Sequence, residues 1–148
     1  MSKLDFTTEA TEFTEARQKL NAITEAIIGA AIDVHRALGP GLLESAYEMC
    51  LCREMTLRDL PFERQRPVAV EYKGIKLDCG YRADLIVANA VLVEVKAVET
   101  LLPIHEAQLL SYLRLSGIDA GLLINFNERL LKHGIKRRLI GDRSAVSF

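Results

Sequence analysis

The chain has 148 residues, which is enough for one ordinary domain and too few for two. Hydrophobic residues make up 49% of it, charged residues make up 26%, and the formal net charge is -1. This composition excludes a disordered chain and a strongly basic tail for nucleic acid. Any surface that binds nucleic acid is therefore expected to be local.

The three cysteines, Cys50, Cys52 and Cys79, cannot form an even set of disulfides, and we interpret them as cytoplasmic thiols. A zinc site would need more thiols or histidines nearby, and the three histidines are scattered along the chain. The N-terminus has no apolar signal segment, and charges interrupt the later apolar runs. Neither a signal peptide nor a membrane span is predicted.

The N-terminal third predicts an extension followed by a helix. Residues 1–20 are polar and weakly periodic, which predicts an extension that is frayed or forms a short helix. The domain is expected to cover residues 21–148. From Asn21 onward apolar residues recur at helical spacing until Gly39-Pro40-Gly41 ends the helix.

The middle of the chain predicts a second helix and then two hairpins. The helix runs from about residue 43 to residue 59. Apolar residues then alternate with polar ones, which predicts a hairpin over residues 68–77. A second pair of strands covers residues 81–95 around the loop Ala88-Asn89-Ala90.

The last third predicts a helix, a strand and a basic closing element. Pro103 opens the helix, which extends to about Ser116. Residues 121–125 predict a short buried strand, and residues 130–140 form a closing element whose type the pattern leaves open. This order of elements favours an α/β fold with a mixed central β-sheet flanked by helices.

The second hairpin carries three charges, Asp84, Glu94 and Lys96, in a segment that is otherwise rich in Val, Leu, Ile and Ala. If Ala88-Asn89-Ala90 form its loop, Asp84 lies directly opposite Glu94, and Lys96 shares their face. The valines between these positions then point to the opposite face and pack into a core. The register therefore predicts that the three charges meet.

Two carboxylates at that distance repel each other, unless one takes a proton or a cation lies between them. Mg²⁺ prefers oxygen ligands and typically uses one or two protein carboxylates together with water. Lys96 beside such an ion would orient or deprotonate a bound water, or neutralise charge on a phosphate in the transition state. This combination suits phosphodiester hydrolysis, although a Glu-x-Lys triplet also arises by chance, with the lysine reaching water.

The arrangement resembles the signature of the PD-(D/E)xK nuclease superfamily, in which an acid and an acid-x-Lys triplet on adjacent strands hold a catalytic metal. The stretch GLLESAY at residues 41–47 is similar to the motif of the GxxExxY family, a bacterial and archaeal branch of that superfamily. Ala83 stands where the superfamily name has proline. The likeness covers about residues 21–140 and includes residues 77–85, 101–113 and 121–127.

This resemblance implies a restriction-endonuclease-like core and a nuclease that depends on Mg²⁺ or Mn²⁺. It implies that Lys96 is the catalytic lysine, which positions the attacking water. Gln108 and Tyr112 resemble a Gln-xxx-Tyr pair that places the substrate, and their spacing puts both on one helix face. The metal ligands that it implies are Glu44, Asp84, Glu94 and the backbone carbonyl of Val95.

The residues other than Asp84, Glu94 and Lys96 also have purely structural interpretations. Glu44 at a helix start would favour the helix dipole, and Tyr47 is expected to pack rather than react. Gln108 and Tyr112 would border an apolar stripe, and His105 would begin a helix. A basic run is either a solvated face or a contact for phosphate backbones, and it consists of Lys132, Lys136, Arg137 and Arg138.

The favoured hypothesis is a nuclease that acts on nucleic acid, with DNA preferred by family analogy, as a homodimer or beside a larger protein. The rival is a catalytically inactive nuclease-like module that binds nucleic acid or protein, which the near-neutral charge favours. A third interpretation is structural: Lys96 pairs with Glu94 and Asp84 as a buried ion triad.

Overall fold

The computed structural model describes residues 3–141, with side chains from Thr8 onward. In that range the α-helices are α1 (Lys3–Leu38), α2 (Glu44–Leu57) and α3 (Pro103–Ser116). The strands are β1 (Phe62–Pro67), β2 (Val70–Tyr72), β3 (Ile75–Leu77), β4 (Arg82–Val87), β5 (Val91–Lys96), β6 (Ala120–Asn125) and β7 (Ile135–Leu139). A short 3₁₀ turn, Leu131–Gly134, precedes β7.

The central sheet has five strands in the order β1-β4-β5-β6-β7. Strands β5 and β6 are parallel, and the other neighbouring pairs are antiparallel. Strands β2 and β3 form the predicted first hairpin, which is a separate two-stranded sheet. The predicted class, a mixed sheet flanked by helices, is confirmed and is consistent with a restriction-endonuclease-like core.

Apolar side chains cover both faces of the central sheet. On one face, Val91, Val93 and Val95 of β5 pack in a buried cluster with residues of α1 and α2. On the other face, Leu92 of β5 packs with Leu109 of α3 and neighbouring residues. The valines therefore point into a core, as their alternation predicted, and β5 is enclosed by helices on both sides.

Helix α1 is a single helix of 36 residues, so the prediction that it begins at Asn21 was wrong. No Pro or Gly interrupts the chain before Gly29, and this lets the helix continue into the polar segment. Residues 8–19 are exposed all round, and burial begins at Leu20. Within the described range, no helix combines the length and apolar character needed to cross a membrane.

Strand β1 was not predicted. Its sequence, FERQRP, has no apolar alternation, because β1 lies at the edge of the sheet and most of its side chains are exposed. Antiparallel pairing with β4 holds it in place. The basic closing element proves to be the other edge strand, β7, which pairs with β6.

Three of the four residues of the basic run lie on β7 and are occupied by contacts within the protein, whereas Lys132 lies in the preceding 3₁₀ turn and is exposed. Lys136 and Arg138 both bind the Glu106 carboxylate of α3, with N to O distances of 2.6 and 2.8 Å. Arg137 points to the other side of the strand and donates to Asn21 of α1 at 2.7 Å. These residues tie β7 to α3 and α1, so the run is neither a purely solvated face nor a freely available phosphate contact.

Replacing Glu106 by Gln should lower the melting temperature at pH 7. Lys136 and Arg138 hold the pKa of Glu106 below its ordinary value of 4.5. The stabilisation from this carboxylate is therefore present above pH 4.5 and is lost as the pH falls through the lowered pKa. Thermal melts at pH 7 and at about pH 3 measure this, and the two proteins should converge in acid.

The matched control is Glu99→Gln, because Glu99 is exposed and forms no ion pair with the described residues. It should leave the melting temperature unchanged. An equal loss in both variants, or a loss from Glu106→Gln that persists in acid, would contradict the role given to the Glu106 contacts.

Candidate active site

The ladder between β4 and β5 pairs Val87 with Val91 and ends with Leu85 opposite Val93. This is the register predicted from the loop at residues 88–90, and the described pairs confirm it. Beyond Leu85 and Val93 no backbone pair joins the two strands. Side chains make the connections there instead.

The carboxylates of Asp84 and Glu94 bridge β4 and β5 where the ladder ends. The backbone N–H of Val95 donates to Asp84 at 2.8 Å, and the backbone N–H of Asp84 donates to Glu94 at 3.4 Å. Each carboxylate therefore reaches across to the opposite strand. The two acids predicted to face each other do so.

Glu94 is almost fully buried, with 4% of its surface exposed. Burial and the nearby carboxylate of Asp84 raise the pKa of Glu94 to about 9, and the positive charge of Lys96 only partly opposes this. Without a cation, the pair therefore keeps a proton at neutral pH. Fully ionised, the two carboxylates would hold more negative charge than their surroundings compensate.

Lys96 follows at the end of β5 and is half-buried. Its ammonium acts electrostatically on Glu94, but it forms no ion pair within 4.0 Å and no hydrogen bond with any residue in the described range. This geometry argues against a structural ion triad. The amine is left available to another group.

Glu48 of α2 joins this cluster, although it was not singled out from the sequence as a site residue. Its carboxylate binds Arg64 at 2.6 Å and accepts from Gln65 at 2.7 Å. Gln65 also donates to Asp84 at 3.2 Å, so one amide connects the two acids. Burial raises the pKa of Glu48, Arg64 opposes the rise, and Asp84 adds to it.

Gln65 adopts a left-handed backbone conformation, with φ of 54°. Such a conformation costs a side-chain-bearing residue about 1–2 kcal/mol. The strain is retained where the Gln65 amide holds Glu48 and Asp84 together. No sequence pattern signals Gln65, whereas the spacing of four does place Glu48 on the same helix face as Glu44, although it indicated no role at the site.

Glu44 is the first residue of α2 and is exposed. Its carboxylate accepts from the backbone N–H of Ala97 at 3.3 Å, just beyond Lys96. Glu44 therefore lies at the end of β5, while Glu48 is the helix acid that contacts the Asp84 cluster. Its role as a metal ligand stays a prediction, as does that of the Val95 carbonyl.

The remaining residues of the GLLESAY motif shape the loop before α2. The Tyr47 hydroxyl donates to the carbonyl of Gly39 at 2.5 Å and accepts from the N–H of Leu42 at 3.1 Å. The Tyr47 ring is fully buried and stacks on Phe126 with centroids 4.7 Å apart. Gly41 has φ of 104°, where a side chain would be strained. Tyr47 packs, as expected.

Asn125, at the end of β6, organises the segment that follows Lys96. It is fully buried, its amide donates to the carbonyl of Val98 at 2.9 Å, and its oxygen accepts from the N–H of Val98 at 3.0 Å. The carbonyl of Lys96 accepts from the N–H of Phe126 at 2.9 Å. The backbone on both sides of Lys96 is thus held in place.

Gln108 and Tyr112 of α3 form a pair, in which the Gln108 amide donates to the Tyr112 hydroxyl at 2.9 Å. Burial raises the pKa of Tyr112, Gln108 opposes the rise, and the negative charges of Glu94 and Asp84 add to it. The half-exposed ring of Tyr81 lies 5.9 Å from that of Tyr112. The predicted pair therefore borders the acids.

Two further sequence expectations concern side chains outside this cluster. His105 accepts from the N–H of Leu102 at 2.9 Å, which makes it a helix-start residue, as expected. The three thiols are free, and they belong to Cys50, Cys52 and Cys79.

The donor set can be compared with what a divalent cation requires. Asp84 and Glu94 offer adjacent carboxylates whose mutual repulsion a cation would relieve. In the described part of the chain, no three Asp, Glu, His or Cys side chains are grouped as a ready metal cage. The residues therefore fit an ion such as Mg²⁺, which uses one or two carboxylates and keeps several waters.

Comparison with known proteins gives one match. Residues 21–138 match the family model of the PD-(D/E)XK nuclease superfamily. The match covers most of the chain, and the protein belongs to this superfamily. Searches of curated proteins and of solved structures gave no match.

Replacing Glu94 by Gln should stabilise the metal-free protein. In the unfolded state Glu94 has its ordinary pKa of 4.5, whereas in the native state its pKa is about 9. Between these two pH values the native state keeps a proton that the unfolded state has released, so the free energy of unfolding falls as the pH rises. A neutral amide removes this loss. Melts in a chelator from pH 6 to pH 8 should show a gap that widens with pH, whereas a constant or reversed gap would contradict the argument.

Proposed function

We propose that this protein is a metal-dependent nuclease of the GxxExxY branch, which hydrolyses phosphodiester bonds in nucleic acid, preferentially DNA. The observation that carries the proposal is the contact between Asp84 and Glu94 beside an amine, Lys96, that forms no ion pair within 4.0 Å with an acid in the described range. Two acids and a free lysine on neighbouring strands are the groups that phosphodiester hydrolysis needs. The free thiols are consistent with a cytoplasmic location.

The cation in this proposal is Mg²⁺, with Mn²⁺ as a substitute. Asp84 and Glu94 would hold it, together with the Val95 carbonyl and a helix acid, for which Glu48 is a second candidate beside Glu44. When bound, the ion supplies Lewis-acid stabilisation of the charge that grows on the phosphate.

The protein's own groups orient the reactants. The Val95 N–H and the Gln65 amide hold the Asp84 carboxylate in one direction. Lys96 stabilises the negative charge of the transition state or positions the attacking water, because its ammonium has no competing carboxylate contact. The Gln108 and Tyr112 pair places the substrate on the side of α3.

A second candidate function is an inactive module that binds nucleic acid or protein. The observation that favours it is the occupation of the basic run: Lys136 and Arg138 already bind Glu106. This run then offers few free cations to a duplex, and nonspecific affinity for DNA comes mainly from neutralised phosphates. A small enzyme with this surface would depend on a second copy or on a larger protein for affinity.

Metal-dependent cleavage should be lost when either the acid Glu94 or the amine of Lys96 is removed. Labelled single- and double-stranded DNA and RNA are incubated with the protein and Mg²⁺ or Mn²⁺. Glu94→Gln and Lys96→Ala should each reduce the cleavage rate by about 100-fold or more, because each removes charge that stabilises the transition state.

Lys76→Ala and Glu99→Gln are the matched controls, since both side chains are exposed and lie outside the site. They should cleave like the unaltered protein. Binding without cleavage by the unaltered protein, with no effect of either site substitution, would establish the inactive module instead.

Divalent ions should stabilise the folded protein by binding to it selectively. An ion at 100 times its dissociation constant adds about 2.7 kcal/mol to the free energy of unfolding. Asp84→Asn should remove most of the rise in melting temperature that Mg²⁺ or Mn²⁺ produces, while Asp59→Asn, at the end of α2, should preserve it. An equal rise in both variants would place the ion elsewhere.

A further inference from the structure

The apolar stripe of α1 continues beyond the core that it serves. Ile27, Ile23 and Leu20 pack against the buried cluster on one face of the sheet. The same spacing leads one turn further to Ala16 and then to Phe13, of which 66% is exposed. An apolar stripe with this periodicity normally packs against another protein surface.

The helix carries this stripe away from the domain. Residues 8–19 are exposed all round and span about 18 Å at 1.5 Å per residue. A polar helix without packing is marginal in water, and most helical stability comes from a covered apolar face. This segment therefore gains most if a further surface covers it.

A groove of about 730 Å³ opens at the base of the exposed segment. Ala16 and Lys19 line its edge on α1. Because α1 is continuous, Phe13 cannot turn into the groove of its own chain and remains one turn outside it. The apolar side chains that line the groove include Leu20, Ile23, Phe62, Ile86, Ala90 and Ile118.

The charges on the exposed segment are arranged for pairing with an antiparallel copy of itself. Its acids, Glu9, Glu12 and Glu15, come first, and its bases, Arg17 and Lys19, follow. None of the five forms an ion pair with a residue that the structure describes. An antiparallel copy would place acids against bases, whereas a parallel copy would place like charges together.

We propose that two copies of this chain form a symmetric dimer through the exposed halves of α1, with each Phe13 seated in the groove of the other copy. A two-fold axis beside Ala16, whose small side chain lets the helices approach, puts Glu12 near the partner's Lys19. This inference rests on α1 and the groove and is independent of the proposed nuclease activity.

The dimer leaves the acidic cluster open. The groove is bordered by residues 88–90, the turn that joins β4 to β5. Asp84 lies four residues before that turn, about 13 Å away at the rise of a strand. Pairing at one end of the hairpin therefore does not cover the carboxylates at the other.

Phe13→Asp should break the dimer. Sedimentation of the full chain at micromolar concentrations should give a dimer for the unaltered protein. A buried aromatic anchor contributes enough that its loss should raise the dissociation constant by roughly 30-fold or more. Leu57→Asp is the control, since Leu57 is also on a helix and is 59% exposed. Far-ultraviolet dichroism confirms that both variants remain folded.

A charge exchange tests the antiparallel arrangement even if Phe13→Asp fails to fold. Glu12→Lys alone and Lys19→Glu alone should each sediment as monomers, because each places like charges together across the axis. Their equimolar mixture should form a heterodimer, in which every facing pair has opposite charges. The proposal would be overturned if the unaltered protein is a monomer, if Phe13→Asp does not affect the dimer, or if the mixture stays monomeric. A monomeric unaltered protein would leave the groove to a different partner.

Discussion

The structure depends on the contact between the carboxylates of Asp84 and Glu94, in a sheet covered on both faces. At this point β4 and β5 stop pairing, and the two side chains accept backbone N–H groups of the facing strand. A buried N–H without an acceptor costs about 1–3 kcal/mol, so these acids replace part of the ladder. The same contact keeps a proton at neutral pH, because both carboxylates cannot ionise together without a cation. Asp84 and Glu94 therefore both complete the hydrogen bonding between the strands and carry the proposed chemistry.

The segments around this contact are held by residues that are themselves buried or strained. Tyr47 fixes the loop before α2 by hydrogen bonding and by stacking on Phe126. Asn125 fixes the backbone after Lys96, and Gln65 keeps an unfavourable φ while it connects Asp84 to Glu48. Because three separate chain segments are restrained, the carboxylates and the lysine cannot easily move apart. This is the preorganisation that electrostatic catalysis requires.

Sequence patterns predicted the features of the fold that neighbouring residues determine, such as the register of the β4 and β5 hairpin and the bounds of α3. The loop at residues 88–90 predicted the register of β4 and β5, and the alternation of valines in β5 supported it, because a slip by one residue would turn them out of the core. Pro103 and the apolar spacing after it predicted the bounds of α3. Strand β1 escaped prediction because an edge strand needs no apolar alternation, and Gln65 and Arg64 acquire their roles only through Glu48, 16 or more residues away. In the same way, the basic run looked free until Glu106, 30 residues before Lys136, proved to bind it.

The hairpin of β4 and β5 separates two functions along its length. Its open end carries the acids, and its turn borders the groove beneath the exposed half of α1. A dimer formed at the turn would hold two acidic clusters in one particle without crowding either. Two linked sites present twice the phosphate-binding surface to a nucleic acid. Once one site of the dimer has bound the nucleic acid, binding at the second site is intramolecular, so the overall affinity exceeds that of either site alone. The occupation of the basic run by Glu106, which by itself favours an inactive module, is thus compatible with an enzyme that works as a pair.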